Sequence, residues 1–215
     1  MRSANFRKKP LLVTIYGMLT ASLFLLSACS AIKNPIAHQY QLNAYSTEKL
    51  SYTPSSATLL ITPTEATTGY QTEQMQYSKQ TYALNSFAKN SWFSPPASML
   101  YSLLIQSIQH SSYFYAVSSG AYISKTTYRL DTQLLNIRQN FLKKPSQFEL
   151  KVKAVLTRIE DNQIIASKAF TQSIPCPQET PYGGVIAANI ATVKLTKDIT
   201  HFLVKQVERI SSQKH

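Results

Sequence analysis

The chain has 215 residues, five glycines, ten prolines and two cysteines, and carries a formal charge of +12, a length that suits one domain with a substantial core. Its 22 lysines and arginines are dispersed, which argues against a nucleic-acid binder with clustered cations and turns the excess charge toward anionic surfaces such as phospholipid headgroups. The four histidines, His38, His110, His201 and His215, include no pair at metal-ligand spacing, so no metal site is expected.

The N-terminus has three zones: a basic start over 1–9, an apolar stretch over 11–26, and small residues leading to Cys29. That order is the grammar of a secretory signal. An uncleaved anchor helix competes with it, since about 20 apolar residues span a bilayer and residues 11–32 are long enough. The tetrapeptide Leu26-Ser27-Ala28-Cys29 resembles the lipobox of bacterial lipoproteins and tips the choice to the signal.

The resemblance implies cleavage between Ala28 and Cys29 and lipid attachment at the Cys29 thiol. Two or three acyl chains, at about 0.8 kcal/mol per buried CH2, hold a protein on a membrane almost permanently. Residues 1–28 are then a lipoprotein signal peptide and 29–39 a lipidated tether. In lipoprotein sorting of the enterobacterial kind, Ser30 in the second mature position implies the periplasmic face of the outer membrane. Residues 30–39, SAIKNPIAHQ, reach at most roughly 35 Å at 3.3–3.6 Å per residue. Acylation would leave Cys176, set between Pro175 and Pro177, as a small residue in a turn or a site for an intermolecular bridge. Counting alone leaves a Cys29–Cys176 disulfide open.

Beyond the tether, residues 40–42 and 58–62 read as strands, and 75–77 with 82–88 as a hairpin leading to Trp92. Ser94-Pro95-Pro96 starts a helix over 96–110, with Ser94 as its cap. A strand over 113–117 precedes three longer ones at 128–141, 147–160 and 164–174. In the middle one, Phe148, Leu150, Val152, Ala154 and Leu156 share one face and Glu149, Lys151 and Lys153 the other, which predicts a sheet with one wet face. The closing helix spans 183–210, with Lys194, Lys197, Asp198, His201, Lys205, Glu208 and Arg209 on one polar arc. Its apolar arc is wider than one sheet requires, so helix 96–110, another subunit or a transport partner must cover the surplus. The predicted fold class is α+β: a mainly antiparallel sheet carrying two principal helices, as one domain over 40–215.

The stretch GYQTEQMQYSKQTYALNSFAKNSWFSPPASML, 69–100, resembles the central signature of the ABC-type transport auxiliary lipoproteins, the family of the Pqi-system lipoprotein. Met75-Gln76-Tyr77-Ser78, Trp92 and Pro95-Pro96 stand in the places of its Met-x-Tyr-Ser segment, tryptophan and proline-initiated helix. Tyr40-Gln41-Leu42 matches its opening Tyr-x-Leu, and PYGGVIAANIATVKLTKDITHFL its closing helix. One departure is an arginine of the strand before the tryptophan, absent here, where only Lys89 carries charge.

The resemblance implies a docking or structural component, monomeric or homo-oligomeric, held in the outer-membrane bilayer through Cys29. Its implied partners are an MCE-domain periplasmic protein and its inner-membrane complex, which together move phospholipid or other apolar molecules. It implies no catalyst and no cofactor. The residues agree: there is no Gly-x-Ser-x-Gly elbow, no phosphate-cradling glycine loop, and the ten acids are scattered. The competing function is a binding module that itself shelters an apolar ligand, which needs a sizeable dry cavity. Tyr113, Tyr115 and Phe202 are the candidates for a partner interface. Tyr113 and Tyr115 belong to an aromatic cluster with Phe114 and Tyr122 that serves equally well as core.

Overall fold

The computed structural model of the protein describes residues 38–51, 53–120 and 126–213. The expected cleavage and lipidation residues Ala28 and Cys29, the chain up to residue 37, Tyr122 and His215 lie outside them. The strands are β1 (His38–Tyr40), β2 (Thr58–Ile61), β3 (Glu65–Ala66), β4 (Gln74–Ser78), β5 (Asn85–Trp92), β6 (Ala116–Ser119), β7 (Tyr128–Asn140), β8 (Gln147–Arg158) and β9 (Gln163–Pro175). Helix α1 (Pro96–His110) follows β5, and α2 (Pro181–Ser212) follows β9.

The fold is α+β, built on one mixed sheet. β7, β8 and β9 form an antiparallel meander. The other edge of β7 carries three short strands in succession, all parallel to it: β2 at Leu59–Ile61, β3 at Glu65–Ala66 and β4 at Tyr77–Ser78. β6 adds to β2 in parallel, β5 to β4 antiparallel, and β1 to β5 in parallel. The antiparallel expectation therefore describes the long strands and the β4–β5 hairpin, and the parallel pairs of β1, β2, β3, β4 and β6 depart from it. β2, β3 and β4 advance end to end along β7, so the chain stays parallel to it without turning back; only β6 and β1 need a longer return to pair in parallel.

The pairing gives the sheet two ends. The upper end holds the tip between β4 and β5 (79–84), the turn between β7 and β8 (141–146) and the start of α2. The lower end holds the turn between β8 and β9 (159–162), the start of β6 and the end of α1.

The alternation of β8 is realised as read: Phe148, Leu150, Val152, Ala154 and Leu156 are buried while Lys151 and Lys153 face water. The helices cover that apolar face. α2 presses Ala187, Ala188, Ala191, Leu195, Ile199 and Leu203 inward, and α1 contributes Leu100, Leu103, Leu104 and Ile108. Alanines along α2 let its backbone approach closely, which is how a dense core forms without voids. The surplus of the α2 arc is covered by α1 and by residues 43–48. The Ser107 and Thr200 hydroxyls meet at 3.4 Å, Asn189 Oδ1 accepts from Asn43 N at 2.9 Å, and Thr196 Oγ1 from Ser46 N at 2.9 Å. Ile190 stays exposed.

The helix starts differ from one another. Thr180 caps α2, its Oγ1 accepting from Gly183 N at 3.1 Å, ahead of Pro181 in the first turn. Gly183 is required there, because a Cβ would strike the backbone carbonyl of Gln178. Ser94 does not cap α1; Pro95 occupies that position and offers no side-chain bond. β6 starts three residues later than the expected strand, because Tyr113 and Phe114 turn into the core first, their rings 5.1 Å apart.

Candidate functional site

β9 is an edge strand, hydrogen-bonded among the described residues to β8 alone. An open edge presents a row of backbone donors and acceptors that another extended chain can meet. Beside its lower half, α2 leaves an open groove of about 750 Å³ between Ile165–Phe170 and Asp198–Arg209. Its floor is aromatic: the Phe170 and Phe202 rings meet edge to face, with centroids 5.6 Å apart. Lys168 lies along it with Nζ 4.9 Å above the Phe170 ring, a cation over a π face.

The charge of the groove follows from the register of α2. Lys197 and His201 pair with Glu48 at 3.3 Å and 2.8 Å, Lys197 outside the groove and His201 still on its lining. The His201 hydrogen bond is the main reason that the Glu48 carboxyl lies below its usual range, against the opposing effect of desolvation. Asp198 accepts from Gln172 Nε2 at 2.7 Å and bridges helix to strand. Lys205 and Arg209, one turn apart, are left on the groove wall, and neither forms an ion pair among the described residues. A basic rim, an aromatic floor and a free strand edge suit an acidic or extended partner segment. Ser167 and His201 both line the groove, but the His201 Nε2 is taken up by Glu48 at 2.8 Å.

The three interface candidates separate here. Phe202 forms part of the groove, half-buried. Tyr115 is 75% exposed at the lower end, just ahead of β6. Tyr113 is only 8% exposed and belongs to the core, where desolvation pushes its phenol pKa up. Lys168, Lys205 and Arg209 were not singled out from the sequence as a site. The polar arc of α2 contained Lys205 and Arg209, but their meeting with Lys168 depends on which face of α2 settles on β9.

Cys176 is a free thiol, buried just after β9. Burial raises its pKa, against hydrogen bonding with Ser146, so the sulfur is a poor nucleophile. The groove beside β9 and two others on the described surface are open and lined with charged or amide groups as well as apolar ones, unlike the enclosed apolar chamber that sheltering a lipid requires. No helix of the described residues is long and apolar enough to cross a membrane.

The family model described as ABC-type transport auxiliary lipoprotein component matches residues 40–200. The chain belongs to this family. Among solved structures, a Xanthomonas campestris protein aligns with a TM-score of 0.73 at 16% identity, covering 80% of this auxiliary lipoprotein and 98% of its own chain. A second, uncharacterized protein aligns with a TM-score of 0.62 at 12% identity, covering 77% and 97% of the two chains. At such identities the likeness is one of fold. No match was found among curated proteins.

Proposed function

We propose that this auxiliary lipoprotein is a non-catalytic docking component of an MCE- and ABC-type intermembrane lipid transport system. In this reading acylated Cys29 anchors it in the periplasmic face of the outer membrane, and the domain engages an MCE-domain protein that reaches across from the inner-membrane complex. The observation that carries the reading is the family match over residues 40–200, with Leu26-Ser27-Ala28-Cys29 standing ahead of it. Ser30 supports the outer membrane as the destination.

The groove beside β9 supports docking over sheltering. Lys168, Lys205 and Arg209 supply a positive field that speeds encounter with an acidic surface. Phe202, resting on the buried Phe170 ring, supplies the kind of aromatic contact that dominates interface energetics. Tyr115 extends the exposed aromatic surface at the lower end.

The test is photo-crosslinking in cells from an unnatural amino acid at Phe202 or Tyr115, with Leu142 as a control at the upper end. Adducts of an MCE-domain protein from Phe202 and Tyr115, and none from Leu142, are expected. Recovery of no MCE-type partner from either position would overturn the reading.

A further inference from the structure

The upper end of the domain gathers side chains that water does not favour. Tyr82 is fully exposed at the tip between β4 and β5, with a φ of 65°, a left-handed conformation that an aromatic residue seldom adopts. Leu84 on the same tip is 44% exposed, Leu142 in the turn between β7 and β8 is 51% exposed, and Tyr182 in the first turn of α2 is 54% exposed.

Direct contacts hold these loops together as one surface. Phe141 N donates to Ser78 O at 2.9 Å, and the Tyr77 ring lies 4.4 Å from Phe87 and 5.9 Å from Phe141. Those contacts join the tip to the turn. Ser146 N donates to Glu179 Oε1 at 2.7 Å, and the Tyr182 and Tyr40 rings are 5.9 Å apart. Those join the start of α2 to the turn and to β1.

The charge of this surface is positive. Lys79, Lys143 and Lys144 are exposed on its loops, Lys79 with Nζ 5.5 Å over the Tyr77 ring. The nearby acids are engaged: Glu149 by Asn140, Arg138 and Lys143, and Glu179 by Ser146.

β1 runs parallel to β5, with His38 opposite Asn90, so the N-terminal end of β1 points toward the upper end. Cys29 precedes His38 by nine positions, a reach of at most roughly 30 Å at 3.3–3.6 Å per residue.

We propose that the upper end is a second membrane contact, in which Tyr82, Leu84, Leu142 and Tyr182 enter the headgroup region of an anionic phospholipid bilayer and Lys79, Lys143 and Lys144 meet its phosphates. This rests on the reading that Cys29 is acylated. Tyrosine presents an apolar body with a polar tip, and lysine an apolar stem with a charged head, so both settle at a boundary between hydrocarbon and water. An anionic bilayer attracts cations held close to it. The contact would fix the attitude of the domain, turning the lower end and Tyr115 away from the bilayer.

The full-length acylated protein, purified from membranes and reconstituted on vesicles of phosphatidylethanolamine and phosphatidylglycerol, provides the test. Nitroxide labels at Tyr82→Cys, Leu142→Cys, Tyr182→Cys and, as control, Tyr115→Cys report accessibility to oxygen and to a water-soluble nickel chelate. Cys176 is buried, and unmodified protein sets its background. On vesicles, the three upper-end labels are expected to lose nickel accessibility and gain oxygen accessibility, with the Tyr115→Cys label unchanged. Combining Lys79→Glu with Lys144→Glu is expected to reverse most of that shift.

If the protein floats with the vesicles while all four labels keep the accessibility of free protein, the second contact is overturned and the acyl anchor stands. If it does not float, the anchor falls and the second contact with it. Protection of the upper-end labels that rises with protein concentration at fixed detergent, without vesicles, would mark contact between copies and would likewise overturn the proposal.

Discussion

Glu149 shows how one side chain ties the wet face of the sheet together. Its carboxylate accepts from Asn140 Nδ2 at 2.8 Å and Arg138 Nε at 3.0 Å. Desolvation by burial pushes its pKa up, but these two hydrogen bonds outweigh it and hold the group below its ordinary value of 4.5. A folded-state pKa below the unfolded one stabilises the fold above the unfolded value, and that contribution disappears as the pH falls through the folded value. Denaturant unfolding of Glu149→Gln is therefore expected to show a loss of about 2 kcal/mol near neutral pH, the scale of hydrogen bonds to a charged group. The difference from the unmodified protein should shrink steadily on acidification. A constant difference across the acid range would show that the charge is not its source. Neighbouring residues also show where sequence reasoning stops. Tyr113 and Tyr115 are alike in composition and spacing, yet one is core and the other exposed, because the chain reaches β6 only after Phe114 has turned inward.

Among the elements, α2 carries the largest share of burial, and its positions differ sharply in consequence. Leu195 is fully buried against the sheet, whereas Ile190 on the same helix is exposed. Leu195→Ala is expected to cost about 3 kcal/mol, within the range for buried leucine truncation, while Ile190→Ala changes stability by less than about 0.5 kcal/mol. Equal losses, measured by urea midpoint, would contradict the packing described. The helices and the meander were legible because each has a long period: alternation from Phe148 to Leu156, and helical spacing from Leu100 to Ile108. The short strands were not legible in the same way. Glu65–Ala66 has no period to read, and the pairing of β1 with β5 depends on where the intervening chain returns. The basic groove was half-legible: α2 showed Lys205 and Arg209 on its polar arc, but not the strand that faces them.

For the whole molecule, the proposed anchor and the folded domain act at different strengths. A few exposed side chains at the upper end would give weak, salt-sensitive attraction to lipid, whereas acyl chains on Cys29 would give nearly permanent attachment. Cys29→Ser is therefore expected to move the protein from the membrane fraction to the soluble fraction without altering its unfolding midpoint, read by fractionation and thermal melting together. A variant still fully membrane-bound would show that attachment does not need that sulfur.

The three parallel strands along β7 also dictate an order of assembly. Leu59 waits for Tyr128, Glu65 for Gln133 and Tyr77 for Gln139, so these strands lack their β7 partner until the second half exists, although β4 can pair with β5 and β2 with β6 before it. Pairings so distant in sequence make folding slow, since loop closure precedes any gain from contact. A chain emerging N-terminus first leaves the β7-facing edges of β2, β3 and β4 unpaired until Asn140 has followed.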